Sequence, residues 1–156
     1  MTDTTELNLK SLGLTLPEAP QAVANYVPWM QQGDLLFVSG QISKSVDGTL
    51  ITGLLGQDLN VAAGQDAARA SALNILAQTK TALGNLDNIV QIVKLTGFVA
   101  STAAFTDHPL VINGASDLLA DVLGERGQHT RSAVGVASLP LGVAVEIDAI
   151  IKIKVA

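Results

Sequence analysis

From Val143 to Val155 the chain alternates with a period of two. Val143, Val145, Ile147, Ala149, Ile151 and Ile153 fall on one side, and Ala144, Glu146, Asp148, Ile150, Lys152 and Lys154 on the other. Successive side chains of a strand point to opposite faces, so this segment reads as a strand with one core face and one mixed face. A sheet built around it needs helices on one side only. Two segments have the pattern to supply them. Between Ala62 and Leu83, Ala68, Ala72, Ile75, Leu76 and Leu83 recur at helical spacing and Gly84 follows as a C-terminal cap. After Thr106 or Asp107, either of which can cap a helix, Val111, Ala115, Leu118, Leu119 and Val122 share a face that ends at Gly124.

Strands separate and flank these helices. Asp34 to Ser43 carries β-type residues, with a bulge or close backbone approach expected at Gly40. Asp47-Gly48 signals a hairpin into a second, short strand. Ile89 to Ser101 is a third, and Arg131 to Ser138 joins Val143 to Val155 through Leu-Pro-Leu-Gly. The order ββαβαββ describes an α+β domain, a mixed sheet covered on one face by two helices. The other face is partly apolar and predicts an oligomer. A short helix from Glu6 to Leu12, stopped by Gly13, and a Pro-containing stretch form an N-terminal extension, residues 1–21, ahead of a domain spanning 22–156.

Composition narrows the function. Hydrophobic residues make up 48% of the 156 but aromatics only 3%, so the core is aliphatic and base-stacking platforms are disfavoured. A net charge of −5, with nine scattered Lys and Arg, argues against nucleic acid and therefore against a ribonuclease. With no cysteine, thiolate metal sites and a cysteine nucleophile are excluded. His108 and His129 have no ligand-spaced partners and read as surface histidines, so neither metal nor cofactor is implied. No membrane span or secretory signal is evident, which predicts a soluble, cytoplasmic protein.

Two charges stand out in "HTRSAVGVASLPLGVAVEID". Arg131 opens a strand with no local counter-charge; it is either a solvated strand-end residue or a fork for a carboxylate. Glu146 lies among apolar neighbours and either belongs to a polar strand face or orients a water, its pKa raised by burial. A hairpin turning at Pro140-Leu141 would set Arg131 opposite Ile150 and Glu146 opposite Gly135, ~13 Å apart along the strands. A site using both would then be completed by a neighbouring chain. Tyr26 and Trp29 are ring anchors for a loop, or, for the tyrosine, a hydroxyl at a pocket rim. Ser39 has no adjacent histidine and is a poor nucleophile.

"RSAVGVASLPLGVAVEIDAI" resembles the C-terminal signature of the RidA family, also called YjgF or L-PSP. There an arginine opens a strand, Leu-Pro turns the chain, and a glutamate follows fifteen positions after the arginine, the spacing of Arg131 and Glu146. "FVSGQI", the tyrosine of "NYVP" and Asn113 are similar to further family positions, and Ala133 stands where many members carry cysteine. The resemblance implies a chorismate-mutase-like fold, a homotrimer and ligand pockets between subunits. It also implies hydrolysis of reactive 2-imino and enamine acids to 2-keto acids and ammonia, with no cofactor. Arg131 would clamp the carboxylate of a small substrate and Glu146 would position water, with Tyr26, Ser39, Gly40, Asn113 and Ala133 around the substrate. A non-catalytic carboxylate-binding or sensing protein is the alternative, and an endoribonuclease a weaker one.

Overall fold

The computed structural model describes residues 3–156. Its elements are α1 (Thr4–Ser11), β1 (Trp29–Gln32), β2 (Leu35–Ile42), α2 (Val61–Leu83), β3 (Ile89–Ala100), α3 (His108–Leu123), β4 (Thr130–Val136) and β5 (Val145–Ile153). One five-stranded sheet has the order β1-β2-β5-β3-β4. β3 and β4 are parallel, whereas β5 runs antiparallel to both of its neighbours, β2 and β3. β2 and β3 therefore point the same way, and α2 and α3 are both crossover helices, which places them on the same face.

The expected α+β architecture is present, but the expected β4–β5 hairpin is not. β3 lies between these two strands, and the Leu-Pro-Leu-Gly segment carries the chain from the sheet edge to its centre. Arg131 consequently pairs with Leu95, not Ile150, and Glu146 pairs with Ile42 and Phe98, not Gly135. The cause is topological. The crossover through α3 puts β4 parallel to β3 at the sheet edge, and the slot between the parallel β2 and β3 admits an antiparallel strand from the opposite end.

The core follows the alternation. Val145, Ile147, Ala149, Ile151 and Ile153 of β5 pack with Leu36, Val38, Ile92, Leu95 and Val99 beneath Ala68, Ala72, Ile75 and Leu76 of α2 and Val111, Ile112, Leu118 and Leu119 of α3. At Gly114 the two helices approach so closely that a Cβ would collide with the Gln65 carbonyl. Caps hold the helix ends: Asn60 accepts from the Ala63 amide, and Gly84 and Gly124 close α2 and α3 with positive φ. Asp107 is the N-cap residue of α3 but makes no side-chain cap bond.

Two details depart from expectation. β1 pairs with β2 through a two-residue turn containing Gly33 at φ 62°, and the Asp47-Gly48 turn joins an isolated Lys44–Leu50 bridge instead of two strands. The bulge does occur at Gly40, where the β2–β5 register shifts between Val38 and Gln41. Among the described residues no helix is long and apolar enough to cross a membrane.

α1 is tied to the domain by polar contacts around a single apolar peg, the buried Leu9. Asp3 caps the helix and also accepts from the Leu86 amide at 2.7 Å. Asp87 accepts from the amides of Thr4 and Thr5 and from the Thr5 hydroxyl, at 2.7, 3.0 and 2.7 Å. Burial would raise the Asp87 pKa, but these donors together hold it well below the usual carboxylate range. Asp87→Ala should therefore release α1 at a cost of about 1–3 kcal/mol, with amide exchange in Leu7–Ser11 accelerating more than in α2. Unchanged protection of α1 would contradict this anchoring.

Candidate functional site

Glu146 stands on the face of the sheet that no helix covers. Its neighbours across the strands are Ile42 and Phe98, and Asp148 follows two residues on. The carboxylate lies directly over Gly40, where any Cβ would collide with Oε1, so the bulge glycine makes room for the glutamate. Burial, and then the charge of Asp148, raises the Glu146 pKa. Ser39, beside the bulge, donates its hydroxyl to the Val27 carbonyl at 2.7 Å and its amide to Pro28 at 2.9 Å, fixing the loop that carries Tyr26. Tyr26, Ser39, Gly40 and Glu146 thus line one concavity of about 910 Å³. Trp29 packs against the core as a ring anchor; Tyr26 is 53% exposed at the rim.

Arg131 stands on the opposite face. Pairing with buried Leu95 turns its side chain towards α3 at the edge of the sheet. One guanidinium nitrogen donates to Ser116 Oγ at 3.0 Å and another to the Pro109 carbonyl at 3.2 Å. Ser116 is itself held by His129, whose Nε2 lies 2.9 Å from Oγ while Nδ1 lies 2.6 Å from the Gly127 carbonyl. That carbonyl requires the hydrogen on Nδ1, so Nε2 accepts from the Ser116 hydroxyl and Ser116 Oγ remains free to accept from Arg131. Asn113, Ser116, Asp117, His129 and Arg131 are among the residues lining a recess of about 330 Å³. No carboxylate among the described residues lies within 4.0 Å of the guanidinium, which leaves part of its fork open to an anion.

The residues singled out by sequence therefore form two groups. Tyr26, Ser39, Gly40 and Glu146 gather on the open face; Arg131 and Asn113 gather at the β4 edge, with Ala133 on the same face as Arg131 and packed against the core. Ser116 and the positioning role of His129 were not visible in sequence. Neither histidine is a free surface group, since His108 Nε2 pairs with Ser101 Oγ at 3.0 Å. Among the described residues no cluster of three His, Cys, Asp or Glu could hold a metal.

A family model described as "YjgF/chorismate_mutase-like, putative endoribonuclease" matches residues 6–149. The chain belongs to the RidA family. Protein TCP17 of Trypanosoma cruzi is 49% identical over 148 residues, covering 94% of this chain and 92% of that protein. The crystal structure of protein Atu1372 from Agrobacterium tumefaciens is 53% identical, with a TM-score of 0.90 over 97% of this chain and 94% of that one. A Dermatophagoides farinae protein named 2-iminobutanoate/2-iminopropanoate deaminase is 30% identical over 145 residues, covering 90% of this chain and 95% of its own.

The environment of Glu146 has a measurable consequence. A carboxylate with a raised folded-state pKa costs nothing below the ordinary glutamate range, costs progressively more as the pH rises from there, and carries its full cost above the raised folded-state value. Glu146→Gln should therefore raise the Tm at pH 7 to 8, and the gain should vanish as the pH falls below about 4, the ordinary glutamate range. A pH-independent difference in melting scans would contradict the desolvated carboxylate.

Proposed function

We propose that this RidA-family protein hydrolyses reactive 2-imino acids, and their enamine tautomers, to 2-keto acids and ammonia in a site shared between subunits. The observation that carries the reading is the separation of the two charges. A guanidinium with an open fork and a carboxylate with a raised pKa lie on opposite faces of one sheet. One chain offers two half-sites, and the β4 edge of one copy set against the Gly40 bulge of the next would complete the pair. Apolar side chains on the open face, Met30 opposite Phe37 and Phe37 opposite Ile150, favour burial against another copy. A head-to-tail ring satisfies every half-site, and three copies is the number that the family likeness suggests.

The chemistry suits a sparse site. Two parallel charge-assisted bonds from Arg131 fix the substrate carboxylate, with Ser116 and Pro109 keeping the guanidinium in place. Water held by Glu146 adds its oxygen to C2 of the imine as the carboxylate takes one of its protons and returns it to nitrogen, giving a carbinolamine. Glu146 then takes the proton of the new C2 hydroxyl and delivers it to the amino nitrogen, so the C–N bond breaks to leave a C2 carbonyl and ammonia. Imines hydrolyse unaided in water, so orientation and one proton shuttle supply the acceleration. The deaminase of Dermatophagoides farinae supports this reaction class by relatedness.

The test is keto-acid release from imino acids generated by an amino-acid oxidase, against a trapping amine. Arg131→Ala should lower kcat/KM by ~100-fold through lost charge-assisted hydrogen bonds, and Glu146→Gln should lower kcat by ~100-fold or more through lost proton transfer. Ser116→Ala should raise KM more than it lowers kcat, because it only frees the guanidinium. Acceleration that survives both Arg131→Ala and Glu146→Gln would refute the assignment, and tight binding of 2-keto acids without turnover would favour a sensor.

A further inference from the structure

A second cavity, of about 580 Å³, opens beside Glu146 and is not used by the chemistry above. Its outer wall is the chain segment between α1 and β1. Gln78, 1% exposed on α2, donates to the Pro20 carbonyl at 2.6 Å, and Ser39 holds Val27 and Pro28, so the segment is pinned at both ends and arches between them. The remaining walls combine Ile42, Leu50 and the Pro140-Leu141 turn with the polar Gln41, Lys44 and Gln78. Tyr26, Gly40 and Glu146 border both this cavity and the open-face concavity, so the two meet at the carboxylate.

The rim has unusual residues. Val23 is 95% exposed and Leu141 is 73% exposed, and both border the cavity. Leu141 also has φ 60°, in the left-handed region that a leucine rarely adopts. Backbone strain at an exposed leucine is unexplained by packing within the chain, and it holds an apolar side chain at the cavity mouth. Among the described residues, Lys44 and Glu146 are the only charged ones in the lining.

We infer that this cavity is the side-chain subsite, and that the preferred substrates are 2-imino acids with bulky apolar side chains, such as the leucine-derived imine, over the two-carbon side chain of 2-iminobutanoate. The inference rests on the imine-hydrolase reading and adds to it the selection of substrate by residues 20–28. Binding the carboxylate at Arg131 and water at Glu146 leaves the side chain to point away from both, and the adjoining cavity, with Val23, Ile42, Leu50 and Leu141 in its lining, lies open to it. A pocket that excludes water from extra methylenes discriminates through them by roughly ten- to two-hundredfold.

The experiment compares kcat/KM for the two imines in wild type and in Val23→Asp and Leu141→Asp. Val23 is almost wholly exposed, and aspartate tolerates positive φ better than leucine, so both variants should fold. The wild type should favour the leucine-derived imine by ~10-fold or more, and each variant should lower that ratio by ~10-fold. A ratio near one, a preference for 2-iminobutanoate, or variants that slow both imines equally would overturn the subsite and leave the hydrolase reading intact. If neither imine is turned over, the hydrolase reading fails and calorimetric titration with the keto acids decides the cavity. Tighter binding of 4-methyl-2-oxopentanoate than of 2-oxobutanoate, reversed by Leu141→Asp, would support the subsite; equal or absent binding would overturn it.

Discussion

The insertion of β5 between β2 and β3 organises this molecule. Hydrogen-bonded on both sides, it places Val145, Ile147, Ala149, Ile151 and Ile153 in the core and Glu146 and Asp148 on the other face. Because β2 and β3 run parallel around it, both crossovers have the same hand and both helices lie together. One face is sealed and the other is bare. The functional asymmetry follows: β5 supplies the carboxylate to the bare face, while the parallel edge strand β4 presents Arg131 beside α3.

Each charge is held by what surrounds it. Glu146 has its position because Gly40 lacks a side chain, and its raised pKa because the sheet removes water from one side while Asp148 stands nearby. Arg131 is oriented by Ser116, which is oriented by His129, which is oriented by a backbone carbonyl. A half-buried carboxylate inclined to hold a proton is costly as a structural feature alone, and Arg131 is held in place by hydrogen bonds without a salt-bridge partner among the described residues. Their joint presence in one chain is what supports the proposed imine hydrolysis.

Much of this was legible in the residues. Periodicity located α2 and α3, Gly84 and Gly124 marked their ends, and the alternation from Val143 defined the central strand with its inner face. Gly40 announced the bulge. What failed was pairing: adjacency in sequence suggested a hairpin through Pro140-Leu141, whereas strand order is decided by the handedness of the helical crossovers. β1 escaped notice because Trp-Met-Gln-Gln is an exposed edge with no alternating core side. Ser116 and His129 escaped because an arginine's partners come from a helix fifteen residues away and a loop, with no motif to join them. The separation of Arg131 from Glu146 was anticipated, but through the wrong geometry: they are divided by the sheet itself, not by distance along a hairpin.

On the proposed mechanism, Arg131 and Glu146 act together only across a subunit boundary. Mixing unfolded Arg131→Ala and Glu146→Gln chains and refolding them together tests it directly, since each inactive variant retains the half-site that the other has lost. In a cyclic trimer every mixed assembly regains one intact site, so random mixing at equal amounts should restore about a quarter of wild-type imine hydrolysis. Activity no greater than the average of the two variants refolded alone, in mixtures shown to contain both chains in one oligomer, would contradict the account.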